Sequence, residues 1–163
     1  MQKYTSANTS INKTKLPILF KKLNEMGIHN TLIIDVGCGK FIDHIKDYVS
    51  NMDCSYLPYD KYNQSEEVNE FSKNGNDVNN IVTLSNVLNV IAEKEERINL
   101  VKEWLKPTVT MYISIYEGNR SGISRVTKKD CHQMNQRKQY YVDELKEIAN
   151  VEIVKEILKV VHK

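Results

Sequence analysis

The stretch Thr31-Leu32-Ile33-Ile34-Asp35-Val36-Gly37-Cys38-Gly39-Lys40 carries the fold in miniature. Thr31–Val36 is a short apolar run with β-branched residues, which reads as a buried strand. Glycines immediately after such a strand let the backbone turn sharply and let a ligand approach with no Cβ in the way. Working outward, helical spacing of Leu16, Leu19, Phe20, Leu23 and Met26 predicts an amphipathic helix over 13–27 that Gly27 closes. Phe41, Ile42, Ile45 and Val49 return to the same spacing after the glycine turn.

Further strands are expected at 54–60, 81–84 and 109–116, and a terminal strand pair over 151–161 with almost no turn between its members. Helices are expected at 65–73, 93–106 and 140–149, the second with Ile98, Val101, Trp104 and Leu105 facing inward and Pro107 ending it. Residues 118–139 read as a polar, basic loop. Strands alternating with helices predict an α/β fold, a Rossmann-like, mostly parallel twisted sheet with helices on both faces. The stretch between Asp60 and Ile81 is too short for a helix, a strand and a second helix, so the fold is expected in abbreviated form with a central strand missing or very short.

The chain has 163 residues, room for one domain over 13–163 preceded by a Ser/Thr/Asn-rich segment, 1–12. Its 23 basic and 21 acidic residues nearly cancel, so net charge does not select a class of partner. Cys38, Cys54 and Cys131 are widely spaced and odd in number, which indicates neither a zinc site nor a disulfide framework. Reduced thiols in a cytoplasmic compartment are the expectation. The histidines form no spaced cluster, so no metal is expected. There is neither a secretory leader nor an apolar run of about 18 residues, so a membrane partner is not expected.

Asp60 ends the second expected strand, 25 residues after Asp35. In dinucleotide sites an acidic residue about 20 positions on accepts hydrogen bonds from ribose hydroxyls. The ligand here is expected to differ from NAD. No third glycine follows Gly39, and a carboxylate at Asp35 repels a pyrophosphate while suiting a ligand with an ammonium group.

These residues resemble a known family. LIIDVGCGK is similar to the first motif of class I S-adenosylmethionine-dependent methyltransferases, and LPYD resembles the second, whose acidic residue holds the ribose. IVTLSNVLNVI and LVKEWLKPTVTMYISIYEG are similar to the family's next strand and helix start and to the following helix, loop and strand. The likeness spans roughly 31–118 and extends to small phage-type members. The family's third glycine is replaced by Phe41, which is expected to narrow the site beside the ligand's carboxylate.

The resemblance implies S-adenosylmethionine as cofactor, seated by Asp35, Gly37, Cys38, Gly39, Tyr59, Asp60, Ser85 and Asn86. Asn86, Tyr116 and Glu117 are then the expected groups toward the acceptor, with Glu117 as a proton acceptor and Tyr116 stacking on a planar substrate. Cys38 reads as a small filler of the turn rather than a nucleophile, Ser85 equally as a helix cap, and Asn89 as a neighbour of the substrate mouth. Tyr4, Thr5, Asn8 and Asn12 are candidates for a lid. The acceptor is an unidentified small molecule or a nucleic acid drawn by the basic 120–138 segment. DPPY, NPPY and Pro-Cys signatures of DNA methylation are absent. Aminocarboxypropyl transfer from the same cofactor, a non-catalytic S-adenosylmethionine-binding module and a nicotinamide-dependent oxidoreductase are the rival expectations.

Overall fold

In chain order the elements are α1 (Ile18–Glu25), β1 (Leu32–Val36), α2 (Asp43–Asn51), β2 (Ser55–Tyr59), α3 (Glu66–Asn74) and β3 (Ile81–Ser85). There follow a 3-10 turn (Leu88–Val90), α4 (Lys94–Trp104), β4 (Thr110–Ser114), β5 (Arg125–Lys128), β6 (Cys131–Gln133), α5 (Lys138–Leu145), β7 (Ala149–Val154) and β8 (Ile157–His162). This computed structural model describes residues 13–76, 79–128 and 131–163. The lid candidates Tyr4, Thr5, Asn8 and Asn12 lie outside them.

Six strands form one sheet in the order β2-β1-β3-β4-β8-β7. The first four run parallel, whereas β8 is antiparallel to both β4 and β7. The fold is thus α/β, a mostly parallel sheet of the Rossmann-like kind. Successive side chains of β1 point to opposite faces. Ile33 packs with Leu19, Phe20, Leu23, Ile45 and Val49 of α1 and α2, while Ile34 and Val36 pack on the other face with Val101 and Trp104 of α4 and Tyr141 and Leu145 of α5. Helices therefore cover both faces, and β1 is buried on both sides as its continuous apolar run predicts.

Local chemistry explains where the elements stop. Gly27 closes α1 at φ +75°, with Ile28 N–H donating to the Leu23 carbonyl, the bond pattern of a Schellman end. Ser65 caps α3 by accepting from the Val68 N–H. Lys155 and Glu156, at φ +47° and +71°, make the two-residue turn between β7 and β8, a geometry that matches the strand twist.

Three expectations need correction. Residues 61–80 hold one helix and, among the described residues, no strand; the shortening leaves β2 as the sheet edge and the centre intact. Pro58, which cannot donate to a ladder, sits on that edge strand. The expected loop over 118–139 contains the β5–β6 hairpin, and Cys131, His132, Gln133, Met134 and Asn135 are buried. The helix expected over 140–149 runs from Lys138 to Leu145, and Ala149 already belongs to β7.

Arg97, on the inner face of α4, is 1% exposed. Its Nε and one terminal nitrogen reach Glu144 of α5 at 2.8 and 2.7 Å, and its other nitrogen donates to the carbonyls of Ile91 and Ala92. A buried charge pair of this kind is tolerable because each guanidinium nitrogen has an acceptor. It locks α4, α5 and the segment after β3 together.

Candidate functional site

The chain leaves β1 toward β2 on one side and returns to β3 on the other, so the strand order reverses beside β1. In open parallel sheets this reversal leaves a crevice outside the carboxyl ends of the strands. A cleft of about 1110 Å³ lies there, lined at the strand ends by Gly37, Asp60, Asn86 and Tyr116. That is at or above the upper end of the range for small-molecule sites, about 300–1,000 Å³.

Gly37 and Gly39 turn the chain at φ +76° and +78°. Gly37 also has a packing reason: a Cβ there would come within 2.6 Å of Val87 Cγ2. The turn is tied to the end of β2, since the Gly37 and Cys38 N–H groups donate to the Tyr59 carbonyl at 2.7 and 3.2 Å. The Tyr59 ring meets Trp104 edge-on at 4.7 Å between centroids. Cys38 is half-buried, and burial, with Asp35 and Asp60 nearby, pushes its thiol well above the usual range. A thiol held protonated is a filler and not a nucleophile.

Asp35 lines the cleft but is only 1% exposed. Its two carboxylate oxygens accept from the Tyr56 hydroxyl at 2.6 Å and the Thr83 hydroxyl at 2.9 Å. Burial raises its pKa from 3.8 to about 6, against the opposing effect of those two bonds.

Asp60 is likewise committed to the protein. Oδ2 accepts the Gly39 N–H at 2.9 Å, and Oδ1 accepts the N–H groups of Tyr62 and Asn63 and the Asn63 side-chain amide. A carboxylate offers about four acceptor positions, and the protein itself fills most of them here. Gln64, which sequence reasoning passed over, donates to the Gly39 carbonyl at 3.0 Å and completes the link between the 60–64 turn and the glycine turn.

Ser85 ends β3 and does not cap a helix. Val87 precedes the following 3-10 turn without a side-chain cap, and Ser85 Oγ accepts instead from Ser114 Oγ at 3.4 Å. Asn86 is exposed at φ +55° beside the cleft, its N–H donating to the Ser114 carbonyl. Asn89 is buried in the cleft wall. It donates to Gln133 Oε1 and accepts from the Tyr116 N–H, while Gln133 donates to the Tyr116 carbonyl. This amide ring pins the β5–β6 hairpin to the ends of β3 and β4. Nothing in the sequence pattern marks Gln133, because its role exists only across 44 residues of chain.

Tyr116 is 59% exposed at the cleft. Glu117 is brought elsewhere: its carboxylate accepts the Lys138 N–H at 2.7 Å, at the start of α5, and pairs with Arg120 at 3.1 Å. An anion is favoured at a helix N-terminus, and Glu117 is not among the residues lining the cleft. His132 is, and burial lowers its pKa, keeping the imidazole neutral. Phe41 lines the cleft where the family's motif has a glycine.

No helix among the described residues is long and apolar enough to cross a membrane. No family model and no curated protein matches the chain. Among solved structures it is similar to the precorrin-6y C5,15-methyltransferase of Geobacter metallireducens GS-15, at 11% identity and a TM-score of 0.36 over 88% of this chain and 83% of that one. The fold is therefore read from the sheet order itself.

Proposed function

We propose that the chain is an S-adenosylmethionine-dependent methyltransferase whose cofactor lies in the cleft at the ends of β1, β2 and β3. The observation that carries this reading is the glycine turn at the strand-order reversal, opening on a ligand-sized cleft beside two buried carboxylates. The donor set fits such a ligand in kind. Asp35 offers negative charge to an ammonium group, its two hydroxyl bonds leaving acceptor positions over, and a cation there favours the ionised form of a carboxyl that burial otherwise disfavours. Asp60 fits less simply. With four hydrogen bonds already accepted from the protein, its larger part is to hold the glycine turn in shape.

When bound, the cofactor supplies a methyl on a positively charged sulfur, which leaves as a neutral thioether. The protein's part is placement and exclusion of water. Tyr116 presents a ring to a planar acceptor, Asn86 offers an amide at the end of β3, and Asn89 with Gln133 fixes the hairpin that walls the acceptor side. Glu117 is not carried forward as the proton acceptor. His132, neutral and on the cleft wall, takes that place where the acceptor must lose a proton.

The engagement of Glu117 with α5 favours a second reading, a binder of the same cofactor without turnover. Incubation with S-adenosylmethionine and pooled acceptors separates the two by product. S-adenosylhomocysteine supports methyl transfer, methylthioadenosine supports aminocarboxypropyl transfer, and binding without either product supports the non-catalytic module.

A further inference from the structure

Two cations of the 120–138 segment are spent on the protein. Arg120 pairs with Glu117, and Lys138 Nζ donates to the Glu156 carbonyl at 2.7 Å. Arg125 faces the cleft. Lys15 and Lys61, from other parts of the chain, also line the cleft. Lys13 and Lys40 lie over the ring of Phe41 at 5.5 and 5.9 Å, at the same mouth. None of these five has a carboxylate partner among the described residues.

Four acids line the same cleft: Asp35 and Asp60 are buried and accept hydrogen bonds from the protein, Glu103 pairs with Lys73 at 2.8 Å, and Glu96 is half-buried. Five cations with no carboxylate partner among the described residues thus gather around one opening. Two aromatic rings stand at it, Tyr62 with the Lys61 ammonium 5.0 Å from its centroid, and Tyr116. Cations spaced around exposed rings are the arrangement that holds single strands, phosphates on the charges and bases on the rings.

We propose that this mouth binds single-stranded nucleic acid, with phosphates on Lys15, Lys61, Arg125 and the two lysines over Phe41, and a base laid on Tyr116. The proposal rests on the cleft being the cofactor site described above and names its acceptor class. A duplex is disfavoured because its bases are stacked on one another and offer Tyr116 no face.

The test is fluorescence anisotropy of a labelled 12-nucleotide single-stranded DNA with the full chain. Five phosphate contacts predict a slope of log affinity against log salt of about −3.5, and about a 100-fold loss between 50 and 200 mM salt. Lys15→Glu/Lys61→Glu/Arg125→Glu should cut the slope by about 2. The control Lys21→Glu/Lys46→Glu/Lys102→Glu, on exposed helix positions off the cleft lining, should leave the slope within about 0.5. Tyr116→Ala should weaken the single strand by about tenfold and leave a 12-base-pair duplex unchanged. Equal losses in both triple variants, or tighter binding of the duplex, overturn the proposal. Calorimetry with S-adenosylhomocysteine on the same samples separates the two readings. Ligand heat without oligonucleotide binding overturns the acceptor class alone, and its absence in the unaltered chain overturns the cofactor reading.

Discussion

Replacing Asp35 with Asn keeps the shape of a side chain that lies under the glycine turn between two hydroxyls and removes its titration. The native carboxyl, with its pKa near 6, holds a proton more tightly than in the unfolded chain, where 3.8 applies. A group of this kind favours the fold while protonated, and that contribution is lost as pH rises through about 6. The difference of about 2 pKa units corresponds to about 3 kcal/mol between strongly acid and neutral solution. About half of it, about 1.5 kcal/mol, develops between pH 5 and pH 8. Urea unfolding of both proteins at those two pH values reads it directly. The unfolding free energy of Asp35→Asn minus that of the unaltered chain should rise by that amount from pH 5 to pH 8. The hydroxyls of Tyr56 and Thr83 can each rotate to suit an amide, so the offset at one pH is uninformative and its slope is the observable. A difference that stays flat, or falls, refutes the reasoning that burial dominates the Asp35 carboxyl.

Asp60→Ala removes four hydrogen bonds, three of them from backbone N–H groups. It should cost about 2–4 kcal/mol in thermal or urea unfolding as well as weaken S-adenosylhomocysteine binding; unchanged stability would show that the carboxylate does not hold the 60–64 turn to Gly39. Arg97→Met leaves Glu144 buried without its partner and should cost about 3–5 kcal/mol in urea unfolding. Adding Glu144→Leu should recover much of that loss, though not all, because the Ile91 and Ala92 carbonyls also lose a donor. No recovery in the double variant would contradict the pairing.

The parallel core was legible in the sequence because its signals are local. Thr31–Val36 is a continuous apolar run followed at once by glycines, and the chain order of strand and helix then restricts how such strands are stacked. Gly27, Ser65 and the Lys155–Glu156 turn act within a few residues of themselves. The β5–β6 hairpin was not legible. Its residues, 125–133, alternate weakly, and what anchors the hairpin is the amide ring of Asn89, Gln133 and Tyr116, formed between distant segments. Arg97 was missed for the same reason: its partner lies 47 residues away, and a charged residue on an apolar helix face gives no sign of being paired.

At the site, the positions of Asp35, Gly37, Asp60, Asn86 and Tyr116 at one opening follow from strand ends that the sequence does reveal. The orientation of each side chain does not follow. Asp60 and Asp35 both spend acceptor positions on the protein, and Glu117 turns to the start of α5. Residue type and spacing state which groups are near, while competing donors from remote segments settle what each one binds.

Isothermal titration of the purified chain with S-adenosylhomocysteine bears most directly on the cleft as a cofactor seat. One ligand per chain is expected, with a dissociation constant of about 10 μM or tighter, near −7 kcal/mol, and NADH giving no heat under the same conditions. Silence toward S-adenosylhomocysteine at millimolar concentration, or heat from NADH in its place, would contradict the account.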